Sequence, residues 1–206
     1  MRHTYHSFEN RFARCKELMR LASHYGAHID ECVTGFCRNV LFTVNDTKSL
    51  DLHQWRQLLQ YLLDLGVELE YRDTYGDTPL LHAINLHPLN PNTVSAYLEM
   101  GANILATDNK GRGCLHLVIS KMLGFVQLAP VSYQRTMFIL LRADPRFRDQ
   151  PITPLETPLI GELVRDTEAW ALWRAVFEDL GWDFTEMEQY AMSLWPRISS
   201  NPGLYM

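Results

Sequence analysis

The sequence predicts an all-α fold in which short helix–turn–helix units stack on one another. Three observations predict this fold: two segments match at a spacing of 35 residues, a glycine follows each apolar helical run, and a Thr-Pro pair precedes a helix. The composition permits a packed core, because 47% of the 206 residues are hydrophobic and 21% are charged. We therefore expect one folded domain over residues 1–206.

The internal repeat is clearest when Gly66 is aligned with Gly101. In that register four residues are identical and one apolar position is shared: Gly66/Gly101, Asp73/Asp108, Gly76/Gly111, Leu80/Leu115 and Leu69/Ile104. Several identities in one unbroken register indicate a duplicated structural unit.

The matched residues have separate structural roles. Gly66 follows the apolar run 55–65, at the position after a helix where the backbone turns left-handed and glycine is unstrained. Asp73 and Gly76 are the first and fourth residues of a type I turn. Thr78 is a preferred N-cap, and Pro79 suits the first helical position. Each unit therefore reads as a helix, a glycine stop, a turn and a capped helix.

This pattern resembles the ankyrin repeat, whose motif is Asp-x-x-Gly-x-Thr-Pro-Leu-His-x-Ala with a period of about 33. Residues 76–83 (Gly-Asp-Thr-Pro-Leu-Leu-His-Ala) match it, with the histidine, His82, one position late. The second copy keeps the histidine as His116 but replaces Thr-Pro with Gly113-Cys114, which weakens the helix start. The resemblance implies an ankyrin-repeat solenoid with a concave surface and projecting finger-like turns.

Weaker copies on both sides bring the expected total to four to five units. The clearest repeats occupy 66–120, and degenerate repeats occupy 8–65 and 121–195. Helices are expected to stop at 26, 66, 101, 143 and 181. These intervals exceed the family period of about 33, so long irregular loops are predicted at 86–91 and 122–132.

The ends of the chain and its last third complete the predicted architecture. Helical caps are expected at 8–21 and 185–195, and a further helix start at 157–159. A third projecting turn is expected at 146–149, and residues 1–7 and 198–206 are expected to fray.

Aromatic side chains are concentrated in the last third of the chain. Trp170, Trp173 and Phe177 have the spacing of one helix face, which predicts core packing. Trp182 follows the helix stop and would be a partner anchor if it were exposed.

The finger turns carry the residues predicted to bind a partner protein: Tyr71, Arg72, Tyr75, Asp77, Lys110 and Arg112. Tyrosine and arginine are enriched at the centres of protein interfaces. The resemblance therefore implies a non-catalytic interaction scaffold. Replacing Tyr75 and Arg112 with alanine should weaken partner binding while leaving the melting temperature nearly unchanged.

The alternative is a small-molecule binder or enzyme, with the long loops covering a pocket that holds His82, Cys114 and His116. The sequence contains none of the common nucleophile, phosphate-binding or zinc motifs. Cys114 and His116 are two residues apart, so they do not face each other on a helix. In the ankyrin family the equivalent of His116 orders the turn. We expect no cofactor and no metal.

Charge and composition also exclude some partners and suggest a compartment. The net charge of -5 gives no electrostatic footprint for nucleic acid or anionic lipid. No apolar run approaches the ~20 residues that span a bilayer, and no secretory signal precedes the first helix. We expect an intracellular protein, cytoplasmic or nuclear, with four reduced cysteines, Cys15, Cys32, Cys37 and Cys114. The oligomeric state and the partner remain open.

Overall fold

A computed structural model describes residues 8–26, 37–45, 50–143 and 167–183, together with 185, 188 and 189. The described residues are helical and contain no strand, which confirms the all-α prediction. An isolated bridge joins Thr107 to Gly113. The helices are α1 Phe8–His24, α2 Val40–Val44, α3 Leu52–Asp64, α4 Pro79–Asn85, α5 Pro91–Glu99, α6 Cys114–Phe125, α7 Pro130–Ala143 and α8 Thr167–Leu180, with a 3-10 turn at Val126–Leu128.

Capping side chains set where several helices begin. The Thr78 hydroxyl accepts a hydrogen bond from the Leu81 N–H, and Pro79 opens α4, as predicted. Asp51 forms a capping box with Gln54 at the start of α3. These bonds satisfy N–H groups that have no partner within the helix, so the helix starts are fixed by local chemistry.

Glycine ends three helices in the same way. Gly66, Gly101 and Gly181 have φ values of 87°, 89° and 67°. After each glycine, the next N–H reaches back to a carbonyl in the last helical turn, as in the bond from Val67 to Leu62 at 3.2 Å. The predicted stops at 66, 101 and 181 are therefore confirmed. Gly26 is also left-handed after α1, and α7 ends at Ala143 as expected.

The helices form two rows. Helices α3, α5, α7 and α8 contact one another in that order, with α1 against α3, while α2, α4 and α6 form the second row. Helices α4 and α5 contact each other, as do α6 and α7, which holds the rows together. The core contains fully buried side chains from both rows, including Trp55, Leu59, Leu81, Ile84, Tyr97, Leu115, Val118, Met137 and Trp173. Burial of each aliphatic member stabilises the fold by about 1.5–3 kcal/mol.

The predicted face of α8 is largely confirmed. Trp173 and Phe177 are buried, whereas Trp170 is half-buried. Trp182 is half-buried and packs edge-on against Phe177, with ring centroids 5.7 Å apart. Trp182 therefore extends the core rather than standing exposed as an anchor.

The long irregular loop predicted at 122–132 is wrong. Helix α6 continues to Phe125, the 3-10 turn follows, and α7 begins at Pro130. Proline suits a first helical position, so Pro130 starts α7 where the prediction had a loop. The connection after α4 is only residues 86–90. Between Gly101 and Ala143 the extra length is therefore mostly helix.

Several predictions lie outside the described residues. These are the frayed ends 1–7 and 198–206, the third turn at 146–149, the helix start at 157–159, most of the cap at 185–195, and Cys32.

Candidate binding site

The site is built on two turns with the same internal bonding, turn A (residues 71–77) and turn B (residues 106–112). In turn A the Asp73 carboxylate accepts from the N–H groups of Tyr75 at 2.8 Å and Asp77 at 3.0 Å. The Gly76 N–H donates to the Asp73 carbonyl at 2.9 Å, closing the predicted four-residue turn. Local hydrogen bonding by one buried aspartate therefore fixes the conformation of the whole turn.

Turn B repeats this bonding 35 residues later. The Asp108 carboxylate accepts from the N–H groups of Lys110 and Arg112, both at 2.8 Å. The Gly111 N–H donates to the Asp108 carbonyl at 2.9 Å. The duplicated sequence therefore corresponds to a duplicated structure at these positions.

Direct hydrogen bonds join the two turns into one strip. The Asn109 N–H donates to the Tyr75 carbonyl at 2.9 Å, and the Asn109 side-chain amide donates to the Thr74 carbonyl at 3.1 Å. Arg72 donates to the Gly76 carbonyl at 2.8 Å and to the Thr107 carbonyl at 2.6 Å. The turns therefore cannot move independently without breaking bonds.

Each capping aspartate is also paired with an arginine. Arg38, just before α2, donates through Nε to Asp73 at 3.0 Å, and Arg112 donates through Nε to Asp108 at 2.7 Å. Burial by itself would raise the pKa of Asp108, but hydrogen bonds from Arg112 and Lys110 outweigh it and hold the pKa below its usual value. Both carboxylates have their charge-assisted partners within the fold.

A cleft of about 410 Å³ lies between these turns and helices α4 and α6. Its walls carry charged and aromatic side chains from five parts of the chain: Arg38, Tyr75, Asp77, His82, Asp108, Lys110, Arg112 and Lys121. Cationic and anionic groups therefore share one concave surface.

Asp77 differs from the two capping aspartates. It is 5% exposed, and its Oδ1 has no hydrogen-bond partner among the described residues. Burial, and then the nearby charges of Asp73 and Asp108, raise the pKa of Asp77 to about 6, although Arg112 and Arg38 oppose this. Its own N–H and carbonyl are used within turn A, so the unsatisfied atom of Asp77 is the carboxylate oxygen Oδ1.

His82 joins the cleft to a buried polar network. Its Nδ1 lies 3.4 Å from the Asn45 side-chain amide, which also donates to the Pro79 carbonyl at 2.9 Å. The Tyr97 hydroxyl donates to Asn45 Oδ1 at 2.9 Å and lies 3.2 Å from the Leu41 carbonyl. This network connects α2, α4 and α5, and its hydrogen-bonded polar groups lie behind His82.

The predicted partner-binding residues fall into three groups. Tyr75, which is 55% exposed, and Lys110 lie on the surface of the strip. Arg72 is exposed but bonded across the turns, and Arg112 is half-buried on Asp108. Tyr71 is half-buried.

Asp77 needs a correction, since the sequence placed it on the exposed turn tip and the structure buries it. Asp77 is 5% exposed and lines the cleft together with residues of turn B and α4, whose approach to turn A buries it.

The pocket residues of the alternative hypothesis are not brought together. Among the described residues, His82 lines the cleft, whereas Cys114 and His116 do not. Cys114 is 1% exposed, and burial raises the pKa of its thiol to about 12, so it is no nucleophile near neutral pH.

Sequence reasoning missed Arg38 and Lys121, which also line the cleft. Lys121 lies within α6, and no motif in the sequence marks it as part of a cleft. Arg38 lies 35 residues before its partner Asp73, and no local motif marks that pairing.

The chain matches no protein-family model and no curated protein. Within the described ranges, no group of three or more histidine, cysteine, aspartate or glutamate side chains could hold a metal ion. None of the helices that the structure describes is both long enough and apolar enough to cross a bilayer.

Proposed function

We propose that the chain is a degenerate ankyrin-repeat protein that binds another protein through the strip of turns A and B and the adjoining cleft. The observation that carries this proposal is the cross-bonded strip, which holds Tyr75 and Lys110 at the surface beside a concave, charged cleft. The proposal retains the intracellular location expected from the sequence.

Three features support the ankyrin assignment. The turns repeat their bonding at the spacing of the sequence repeat, glycines stop three helices identically, and the helices lie in two rows. Stacked ankyrin units would produce all three, because each unit contributes one helix to each row and one turn to the strip.

The rigidity of Tyr75 supports a binding role. Its N–H donates to Asp73, and its carbonyl accepts from Asn109, so the backbone is fixed on both sides of the side chain. A pre-ordered aromatic residue loses little conformational entropy when a partner covers it. Tyrosine is also among the residues that contribute most to interface affinity.

The test is a capture experiment with the whole chain and a double variant, Tyr75→Ala with Lys110→Ala. Arg112 is unsuitable as the second position, because its removal would break the Asp108 pair. We expect the variant to lose about 10- to 100-fold in partner affinity, as removal of an interface centre does, with little change in melting temperature.

A matched control replaces Tyr25, which is exposed just after α1, and Arg142, which is exposed on α7, with alanine. The control should bind as the wild type does. Equal binding by all three proteins would show that the strip is not the interface.

No feature of the described residues favours the alternative of an enzyme or small-molecule binder built on His82, Cys114 and His116, because those side chains do not converge in the cleft.

A further inference from the structure

Asp77, one of the residues that line the cleft, has an unsatisfied carboxylate oxygen, Oδ1. It is 5% exposed, and its Oδ1 has no hydrogen-bond donor among the described residues. A buried acceptor without a donor is costly, and a ligand that supplies the donor removes that cost. The missing group is therefore a hydrogen-bond donor, and a cationic one would also offset the buried charge.

The cations nearest to Asp77 are already committed elsewhere. Arg38 donates to Asp73 and Arg112 donates to Asp108, in contacts of 3.0 and 2.7 Å. Asp73 and Asp108 are therefore each neutralised by an arginine, whereas Asp77 beside them is not. The groups facing Asp77 from every packed element are Asp73 of turn A, Arg38 before α2, Asp108, Lys110 and Arg112 of turn B, His82 of α4 and Lys121 of α6.

The size and the lining of the cleft admit an arginine side chain. Its volume of about 410 Å³ holds one long side chain. The Tyr75 ring forms part of the wall, and aromatic faces attract guanidinium groups. Arginine is planar, carries several donors in a fixed fork and is weakly hydrated, so it loses less on entering such a site than lysine does.

We propose, on the basis of the proposed function, that the cleft receives an arginine side chain of the partner protein, with its guanidinium donating to Asp77 and stacking on Tyr75. Lys110 and Lys121 line the same cleft and repel any cation that enters it, so Asp77 must outweigh that repulsion for the one arginine, and a run of basic residues is excluded. Affinity depends on ionised Asp77, so protonation of that carboxylate weakens binding.

The test titrates the isotopically labelled full chain with N-acetylarginine amide and follows the Asp77 carboxyl carbon by NMR. The Asp77→Asn variant assigns the signal. N-acetylcitrulline amide, which has the same shape without the charge, is the matched control. We expect the arginine compound to bind at least about tenfold more tightly at pH 7.5 and to lower the titration midpoint of Asp77. Its affinity should fall about tenfold per pH unit below that midpoint.

Three results would overturn the proposal. One is equal binding of the two compounds, and another is unchanged binding by Asp77→Asn with backbone signals that show an intact fold. The third is a titration midpoint of Asp77 that the arginine compound leaves unchanged but that rises in the Lys110→Gln variant. That result would show that Lys110 of the chain itself is the partner of Asp77. The midpoint measurement on the wild type needs no variant to fold.

The same Asp77→Asn variant separates this inference from the proposed function. If the captured partner still requires Tyr75 and Lys110 but binds Asp77→Asn as tightly as the wild type, the arginine site is wrong and the strip remains the interface. If capture depends on neither surface residue, the proposed function itself fails.

Discussion

Replacement of Gly76 with alanine tests how closely the two turns are packed. Gly76 has φ of 77°, and a Cβ there would lie 2.8 Å from the backbone nitrogen of Asn109 and against its side-chain oxygen. A backbone atom cannot move aside without moving turn B. Gly66 is the matched control, because its φ is 87° and a Cβ there has no neighbour within 4 Å.

The two substitutions share one cost and differ in another. Alanine in a left-handed conformation costs about 1–2 kcal/mol, of which the stiffer unfolded chain returns about 0.4–1 kcal/mol. Gly66→Ala should therefore lose about 1 kcal/mol of unfolding free energy. Gly76→Ala also displaces Asn109 and its bonds to the Tyr75 and Thr74 carbonyls, at about 1 kcal/mol each. We expect a total loss of about 3 kcal/mol.

Urea unfolding, followed by tryptophan fluorescence and far-UV circular dichroism, measures both losses. The two losses should differ by about 2 kcal/mol, because the cost of the left-handed alanine is common to both variants and cancels. Equal losses would show that the turns are not in contact at Gly76.

Three further changes probe other parts of the structure. Gly113→Thr supplies α6 with the cap it lacks and should raise the unfolding free energy by about 1 kcal/mol; a lower melting temperature would show that the site cannot take a side chain. Tyr97→Phe removes the hydrogen bond to Asn45 and should lower the unfolding free energy by about 1–2 kcal/mol; no loss in urea unfolding would contradict the buried network. Asp77 binds its proton more tightly in the folded than in the unfolded chain, since its pKa rises from 3.8 to about 6, so its contribution to the unfolding free energy should fall as the pH rises from about 4 to about 6. The Asp77→Asn variant should lack this decrease in unfolding free energy, which is about 1 kcal/mol after allowance for solvent screening. Identical pH profiles of stability for the two proteins would refute the raised pKa of Asp77.

The sequence predicted the parts of the fold that depend on local chemistry. Gly66 and Gly101 follow apolar runs, and a left-handed helix stop needs little more than that. Thr78 and Pro79 start a helix through their own hydrogen bonding and geometry. The aspartate and glycine of each turn act within four residues of each other, so their spacing in the sequence was sufficient to predict the turn.

The remaining features depend on contacts between distant segments. The burial of Asp77 results from the approach of turn B and α4 to turn A, which the turn motif does not encode. Arg38 reaches Asp73 across 35 residues of sequence. The segment at 122–132 was misread because a fixed repeat length assigned all extra residues to loops, although helices can lengthen as well.

Site-specific photocrosslinking tests whether the strip of turns A and B is a protein-binding surface. A benzoylphenylalanine residue would replace Tyr75 in the full chain, and Tyr25, which is exposed just after α1, in the control. The proteins would be irradiated in the cells that produce them. We expect a discrete crosslinked protein from position 75, abolished by the Lys110→Ala substitution, and none from position 25. The same products from both positions, or none from position 75, would contradict the assignment of the strip as a protein-binding surface.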